Sequence, residues 1–484
     1  MGCLILQAAL LFLRLHLAGA TLVTNDTALA AGQTSDYIVV GAGLSGITVT
    51  NKLSARNYSV LIIEAGPDGS WNNVIYNALD RQFRPINGMI WYRPTAAEID
   101  GLQRLGNPGW NWVNLEPYMQ AIERNIPSSV MHTAQGAGLD PIVRAFSGAI
   151  KVSFQGIPYA FHGLSITDDL SNRTASVSAS TSWTIWYDPV TRQNKRSSAA
   201  DGVLWAADQQ RETLTVLATH KVDRVLFDMD IRAVGVSFMA FNMTDRSGIG
   251  KKSVLDAAGI LEQVVELPGV GGHLLHEEYW NDTALFDEPH MFAPEVSLVN
   301  VDELTLTHIQ NLTSPNVLAS RAQGLVRAGG AANVEGAKTL LNATINLIVN
   351  SRPGSSRSSG VFMATFWPVT PLSRGHIHID PDPALGDPII DAYYSPEKAG
   401  PDATDAEYLE WYRENMGPAD RWVGSTAMLP RELGGVVDER LRVYGTRGLR
   451  VVDAGILPYE LTSHLMSAVY AIALRAADLI LADV

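Results

Sequence analysis

Three glycines near the start of the sequence have the spacing that lets a phosphate approach the backbone closely. Gly41, Gly43 and Gly46 follow the apolar run 36–40, which has the composition of a buried strand. Without Cβ atoms, such a turn brings a pyrophosphate to the positive end of the following helix. Glu64 comes 23 residues after Gly41, where its carboxylate can accept hydrogen bonds from both ribose hydroxyls. The pattern predicts an adenine-dinucleotide site, and the acid disfavours a cofactor with a 2′-phosphate.

The elements that must position these residues form a β-α-β unit. Residues 47–53 have the pattern of a helix and residues 60–64 that of a second buried strand. Residues 448–453 predict another buried strand, which ends in an acid. Two polar stretches, 21–35 and 351–360, have the composition of a lead segment and of a turn or flexible loop.

Other segments have weaker patterns. Strands are expected at 214–226, 233–238 and 376–379, whereas no sustained period is present between Trp91 and Arg196. The final helix is the clearest of all, because apolar residues recur at helical spacing over much of its circumference, which places it inside the protein. Thr462 or Ser463 is the expected cap of this helix. Its apolar positions are Leu465, Ala468, Val469, Ile472, Ala476, Leu479 and Ile480.

Length and composition limit the class of protein. The chain has 484 residues, which suggests two or three folding units, and it is 46% apolar and 18% charged, as a globular protein is. Its formal charge of −14 disfavours a nucleic acid or an anionic membrane as a partner. Cys3 is the single cysteine and lies in a removable leader, so the mature protein is expected to have no disulfide and no thiolate metal site.

The first twenty residues predict a signal peptide and hence a secreted, extracellular protein. An apolar run at 4–13 is too short to cross a bilayer, and small residues before Ala20 suit cleavage after about that position, although no basic residue precedes the run. Seven Asn-x-Ser/Thr sequons agree with a secretory route and predict a glycoprotein. Their asparagines are Asn25, Asn57, Asn172, Asn242, Asn281, Asn311 and Asn342.

The end of the chain resembles the glucose–methanol–choline (GMC) oxidoreductases, most strongly the branch of glucose oxidase and aryl-alcohol oxidase. The resemblance is carried by Gly-Gly-Val-Val-Asp at 434–438, by the run 443–454 and by Thr-Ser-His-Leu-Met at 462–466. Further similar blocks stand in family order at 87–94, 109–112, 213–226 and 266–271. The family resemblance therefore extends over nearly the whole mature chain.

This resemblance implies an α/β fold, with a Rossmann-like FAD-binding domain and a second α+β substrate domain that contains an antiparallel sheet. The FAD domain would be discontinuous, from 36–94, 197–272 and 431–484, and the substrate domain with its connections would comprise 95–196 and 273–430. The implied reaction oxidises a small-molecule alcohol or sugar by hydride transfer to flavin N5, with dioxygen or a quinone-type acceptor. A homodimer is left open.

The resemblance also assigns residues to the cofactor. Leu44, Ser45 and Glu64 would contact the ADP half, and the backbone of Val222 the adenine. Asn87 and Gly88 would lie near the isoalloxazine, and Asp453, Ala454 and Met466 would flank the pyrophosphate or the ring. His464 would face the substrate as the catalytic group that accepts the hydroxyl proton, since the pKa of a neutral imidazole is near the operating pH. A helix starting at His464 would direct its N–H groups at the flavin.

Three departures from the family pattern favour an alternative, namely a catalytically inactive or incomplete member that acts as a secreted FAD-binding or scaffold glycoprotein. Residues 80–86 replace a glycine-rich loop, and the strand-like run 254–259 leads directly to 260–268 without the second family signature. Arg421 stands where the family has its principal catalytic histidine. A guanidinium cannot be a base at ordinary pH, although it can stabilise an alkoxide.

Metal and hydrolase chemistry are disfavoured by the arrangement of the remaining candidates. His273, His276 and Glu277 do not have the order of a zinc motif, and no metal site is expected there. His376 and His378 share one face of a strand and are expected to be solvated or hydrogen-bonded. The sequence contains no Gly-x-Ser-x-Gly, the nucleophile motif of α/β-hydrolases.

Overall fold

The structure is a computed structural model. It describes residues 21–69, 89–128, 130, 133, 139–154, 165–166, 169–172, 177–180, 182–205, 211–240, 248–250, 252–257, 263–268, 270, 278–282, 295–300, 303–351, 353–359, 364–368, 374, 376–378, 389–391, 417–418 and 422–484. Asn87, Gly88, Arg421, His273 and His276 lie outside these residues.

The described chain contains both α-helices and strands, which do not alternate regularly along the sequence. The helices are α1 (Leu44–Ser54), α2 (Ala96–Arg104), α3 (Trp112–Ile122), α4 (Lys252–Ala257), α5 (Glu303–Asn311), α6 (Pro315–Arg327), α7 (Val334–Ser351) and α8 (Met466–Leu481). The strands are β1 (Leu22–Thr24), β2 (Tyr37–Val40), β3 (Val60–Ile63), β4 (Glu123–Asn125), β5 (Ile150–Phe154), β6 (Ser165–Ile166), β7 (Val177–Ser180), β8 (Ser182–Trp183), β9 (Ile185–Asp188), β10 (Gln193–Arg196), β11 (Leu214–Leu217), β12 (His220–Phe227), β13 (Ala233–Ala240), β14 (Gly248–Gly250), β15 (Gln263–Glu266), β16 (Glu278–Asp282), β17 (Glu295–Asn300), β18 (Pro353–Ser359), β19 (Ala364–Pro368), β20 (His376–His378), β21 (Ile389–Asp391) and β22 (Gly417–Pro418).

A four-stranded parallel sheet, in the order β1-β11-β3-β2, carries the glycine turn. All four residues of β3 are buried, as expected for an apolar strand in the middle of a parallel sheet. The chain leaves β2 through Gly41, enters α1 and returns to the sheet as β3. This order confirms the predicted β-α-β unit. The outward face of β3 and β11 is covered by the β12–β13 hairpin, through Val222, Val236 and Phe238.

A second sheet of seven strands has the order β22-β16-β19-β18-β17-β7-β6. Its pairs are antiparallel except for the β6–β7 pair. The combination of a parallel Rossmann-like sheet and a separate, largely antiparallel sheet confirms the predicted fold class. Among the described helices, none is long and apolar enough to cross a membrane.

Helix α8 lies in the core, as its apolar circumference predicts. Eleven of its sixteen residues are buried, and it packs against both α1 and α3. Its predicted N-cap is wrong, however, because the helix begins at Met466 and no side chain caps it. Thr462 and Ser463 instead belong to an irregular segment that precedes the helix. For the same reason no helix starts at His464.

Three other expectations about secondary structure are wrong, and for the first two the reason is that tertiary pairing outweighs local pattern. Residues 448–453 form no strand of the parallel sheet, since Val451 N donates to Leu441 O and only Arg450 makes an isolated bridge. Residues 353–359, expected in a loop, form β18 because β17 and β19 pair with both of its edges. The strand-like run at 254–259 falls largely in α4, and the polar lead contains β1, which pairs with β11.

A buried network of charged groups joins α3 and β4 to the neighbouring segments. Arg144 forms two hydrogen bonds of 2.6 Å with the carboxylate of Asp169, and its Nη1 lies 3.3 Å from Glu123 Oε1. Arg93 Nη2 lies 3.1 Å from the other oxygen of Glu123. Because the side chains are almost fully removed from water, each charge depends on its partners for compensation.

The network yields a stability prediction. Replacing Arg144 with Met leaves the carboxylates of Asp169 and Glu123 short of a counter-charge in the interior, and we expect the free energy of unfolding to fall by about 3–5 kcal/mol. The matched control is Lys252→Met, which removes the exposed Lys252–Asp256 pair of α4 and should cost under about 0.5 kcal/mol. Urea unfolding of both variants measures the difference, and equal losses would contradict the assignment.

Candidate functional site

A large cavity lies between β2, the β12–β13 hairpin, the segment 448–454 and the start of α8. Its volume is about 1550 Å³, more than the roughly 300–1,000 Å³ of an ordinary small-molecule pocket. Most of the predicted site residues meet in its walls, although they come from distant parts of the sequence. The predicted residues in the lining are Gly41, Gly43, Leu44, Ser45, Gly46, Val222, Asp453, Ala454, His464 and Met466.

The glycine turn forms an open cradle in the wall of the cavity. Gly41 has a φ of 93°, and a Cβ placed on Gly41 or Gly43 would meet no atom within 4 Å. Gly46 has a different role, because a Cβ there would overlap the carbonyl oxygen of Gly41. The first two glycines therefore leave room for a ligand, whereas the third permits contact between helix and strand, as the motif requires.

The N-terminus of α1 is suited to a phosphate. Its N-cap is Gly43, so no side chain accepts from the amide groups of the first turn. Ser45 Oγ, in that turn, is buried and has no hydrogen-bond partner among the described residues. Since the helix dipole is positive at this end and the free donors line the cavity, the residues fit the diphosphate of a dinucleotide.

Glu64 has a backbone role that the sequence alone did not reveal. Its Oε2 accepts from Ala42 N at 2.6 Å and its Oε1 accepts from Gly66 N at 2.7 Å. The carboxylate therefore fixes the backbone of the glycine turn through Ala42. Glu64 is half-buried and is not among the residues that line the cavity in the described chain. Each oxygen keeps a second acceptor position, and the predicted ribose contact stays a prediction.

A second group of residues in the cavity lining is apolar apart from one imidazole. His464 is 7% exposed, and its ring packs edge-to-face on Tyr92, with 5.5 Å between centroids. Met89, Ile90, Trp422, Leu465 and Met466 line the same cavity. These residues suit a flat ring system, with His464 beside it.

Asp453 also lines the cavity. Its Oδ1 accepts from Gly455 N at 2.8 Å and thereby caps the short 3-10 turn Ala454–Ile456. The side chain is open to the cavity but enclosed by protein, and this removal from bulk water raises the pKa of Asp453 above its ordinary value.

Sequence reasoning missed two residues that shape the site. Tyr92 contacts His464 and donates through its hydroxyl to Thr462 O at 2.9 Å, and no local pattern marks it. Glu98 accepts hydrogen bonds from Thr462 although the two are 364 residues apart in sequence. A detectable signal for Glu98 was the Thr95-x-x-Glu98 capping box at the start of α2.

The cradle yields a prediction with a matched control. Gly46→Ala is expected to lower the free energy of unfolding by about 1–3 kcal/mol, because its methyl group would overlap the Gly41 carbonyl. Gly43→Ala should keep the unfolding free energy within about 0.5 kcal/mol and weaken FAD binding, since its methyl group would occupy the cavity. Chemical unfolding of the apo-proteins and fluorescence titration with FAD separate the two effects; a Gly43 variant with unchanged FAD affinity would contradict the assignment.

Comparison with known proteins agrees with this geometry. Two models of the GMC oxidoreductase family match, the N-terminal one at residues 85–274 and the C-terminal one at residues 394–473, and an NAD(P)-binding Rossmann-like domain matches at residues 39–76. A glucose oxidase from Penicillium chrysogenum is 26% identical, with 95% of this chain and 94% of the relative covered. The alignment spans 592 positions against 484 residues here, so the relative has internal segments that this chain lacks.

Solved structures share the fold. A fungal aryl-alcohol oxidase superposes with a TM-score of 0.76 at 20% identity, covering 93% of this chain and 99% of that one. An FAD-dependent oxidoreductase from Chaetomium thermophilum has a TM-score of 0.74 at 21% identity, with the same coverage. FAD is the cofactor that these matches imply, and the cradle described above fits its diphosphate. The chain belongs to the GMC oxidoreductase family.

Proposed function

We propose that this protein is a secreted oxidoreductase that uses FAD to oxidise the hydroxyl group of an alcohol or a sugar. The observation that carries the proposal is one cavity lined both by the diphosphate cradle and by a buried imidazole. When bound, FAD supplies a ring that accepts a hydride. The similarity to a glucose oxidase and to an aryl-alcohol oxidase supports a CH–OH group as the reacting centre.

The proposed roles of the chain's own residues follow from their positions. Gly41, Gly43 and the first turn of α1 hold the diphosphate, while Met466 and the apolar wall exclude water from the ring. His464 accepts the hydroxyl proton of the substrate as its carbon loses a hydride. We propose that Asn87 and Gly88 complete the ring site, that Val222 lies by the adenine, and that dioxygen or a quinone-type compound takes up the electrons.

Secretion is a further part of the proposal. It is supported by the predicted leader and by the position of four sequon asparagines, Asn25, Asn57, Asn311 and Asn342, all of which are exposed. A glycan can extend from such positions into solvent without displacing core residues.

One observation favours a second candidate, a family member that binds FAD without turnover. From the family resemblance we infer that Arg421 stands at the position of the principal catalytic histidine, and its guanidinium cannot accept a proton. In that case the cradle would still retain the cofactor, whereas no alcohol or sugar would reduce it.

The first test concerns the cofactor and His464. The purified protein is expected to be yellow and to lose its flavin absorbance when D-glucose or benzyl alcohol is added without oxygen. His464→Gln should keep the bound flavin and slow its reduction by about 10²–10⁴-fold, because the substrate proton loses its acceptor. Stopped-flow absorbance measures the rate.

A control histidine separates proton transfer from general damage. His220 is equally buried but is bonded to Thr27 Oγ1 and Ala218 O, outside the cavity lining. In the His220→Gln variant, the substrate should therefore reduce the flavin at the rate measured for the unaltered protein. A folded protein that takes up no FAD refutes the proposal, and FAD binding without reduction by any alcohol or sugar selects the inactive alternative.

The second test concerns processing. Expression in a secretory eukaryotic host should give medium-secreted protein whose N-terminus is Thr21 or within about two residues of it. Treatment with an N-glycosidase should lower its apparent mass, and Asn57→Gln should remove one glycan. Intact protein retained in the cytoplasm with its leader uncut would contradict secretion.

A further inference from the structure

The segment that carries His464 is buried without regular secondary structure. Every residue from Gly455 to His464 is buried, and after the 3-10 turn Ala454–Ile456 the chain forms neither helix nor strand until α8 begins at Met466. Buried backbone groups need hydrogen-bond partners, which a ladder of regular structure does not supply here. The position of His464 therefore depends on side chains that hold this segment from outside.

Glu98 is the most extensively bonded of those side chains. Its Oε1 accepts from Thr462 N at 2.6 Å, and its Oε2 accepts from Thr462 Oγ1 at 2.9 Å. Its backbone oxygen also accepts from the Tyr459 hydroxyl. Thr462 is two residues before His464, so this carboxylate fixes the backbone immediately before the imidazole.

The same carboxylate closes the capping box of α2. Oε2 accepts from Thr95 N and from Thr95 Oγ1, each at 2.7 Å. A capping box requires only the contact to the N-cap residue, and the other oxygen normally faces water. Here Glu98 is fully buried and that oxygen reaches a segment distant in sequence, which the cap alone does not require.

We propose that Glu98 is a positioning residue, which holds the Thr462–His464 backbone so that the imidazole meets the substrate hydroxyl. The inference rests on the proposed role of His464 and adds a residue that does not contact the cavity itself. Hydrogen bonds to an ionised acceptor are about twice as strong as neutral ones, so the carboxylate restrains the segment better than an amide would. Burial raises the pKa of Glu98, and the donors from Thr95 and Thr462 oppose that rise.

Other contacts hold the segment at its flanks. Arg374 Nη1 donates to Pro458 O at 3.0 Å, and the Tyr92 hydroxyl donates to Thr462 O. Ser467 Oγ in turn donates to Tyr92 O at 2.8 Å. These bonds keep the segment folded when Glu98 is altered, and the expected result is misplacement of His464 by a fraction of an ångström to about 1 Å.

The experiment compares three variants of the full-length, FAD-loaded protein. In Glu98→Gln, the NH₂ group of the amide faces the N–H of either Thr95 or Thr462, and two donors cannot form a hydrogen bond. The side chain therefore loses its bond to one of these two backbone amides. Thr462→Val removes one donor and leaves α2 untouched. Thr95→Ala is the matched control, because it removes a capping hydroxyl and leaves both bonds between Glu98 and Thr462 in place.

Two readouts are required. In hydrogen–deuterium exchange, Glu98→Gln and Thr462→Val should speed exchange in peptides covering 457–467, whereas Thr95→Ala should affect only the first turn of α2. In anaerobic reduction by D-glucose or benzyl alcohol, Glu98→Gln should lower the limiting rate by about 10²-fold. It should leave the half-saturating substrate concentration and the FAD affinity within about twofold.

The outcomes separate the two proposals. Glu98→Gln and Thr462→Val with unaltered exchange at 457–467 would overturn the positioning role, as would a Thr95→Ala variant as slow as Glu98→Gln. If Glu98→Gln does not fold, Thr462→Val decides: faster exchange with a rate about tenfold lower supports the role, and an unchanged rate refutes it. If no substrate reduces even the unaltered protein, the proposed function fails, and the exchange measurement still decides whether Glu98 holds the segment.

Discussion

The close approach of two backbone segments, at Gly41 and Gly46, determines the rest of the site. Only a residue without Cβ at position 46 lets α1 lie against the end of β2, and this contact directs the first turn of the helix into the cavity. Helix α1 then packs along α8, whose first residue comes two positions after His464. The diphosphate cradle and the imidazole are therefore placed relative to each other through one helix pair.

In the irregular parts of the site, three carboxylates accept hydrogen bonds from backbone N–H groups. Glu64 accepts from the amides of Ala42 and Gly66, Asp453 from that of Gly455, and Glu98 from those of Thr95 and Thr462. Each one orders a turn whose backbone donors have no strand or helix to bond with. Acidic side chains near an anionic cofactor are in this way compatible with its binding, because their charge is directed at backbone N–H groups.

The parts of the fold that the sequence predicted are those in which local pattern and tertiary environment agree. Helix α1, β3 and the interior position of α8 could be predicted because their apolar residues match their burial. The order of the β2-α1-β3 unit was also predicted, but β2 is not the buried strand expected at 36–40, because Ile38 and Val40 are exposed and line the cavity. The strand at 353–359 could not be predicted, because it forms by pairing with two neighbouring strands and has no pattern of apolar side chains. The run at 448–453 pairs with residues near Leu441 and not with the parallel sheet, and the local sequence pattern does not indicate which partner it takes. Likewise the glycines and His464 are visible in sequence, whereas the support from Glu98 and Tyr92 exists only after folding.

An experimental structure of the protein saturated with FAD tests the central claim most directly. The account predicts density for the diphosphate over Gly41 and Gly43 at the start of α1, with the flavin ring extending along the apolar wall to contact His464. A diphosphate bound elsewhere, or a cavity filled by the protein's own side chains with the cofactor absent from it, would contradict the account.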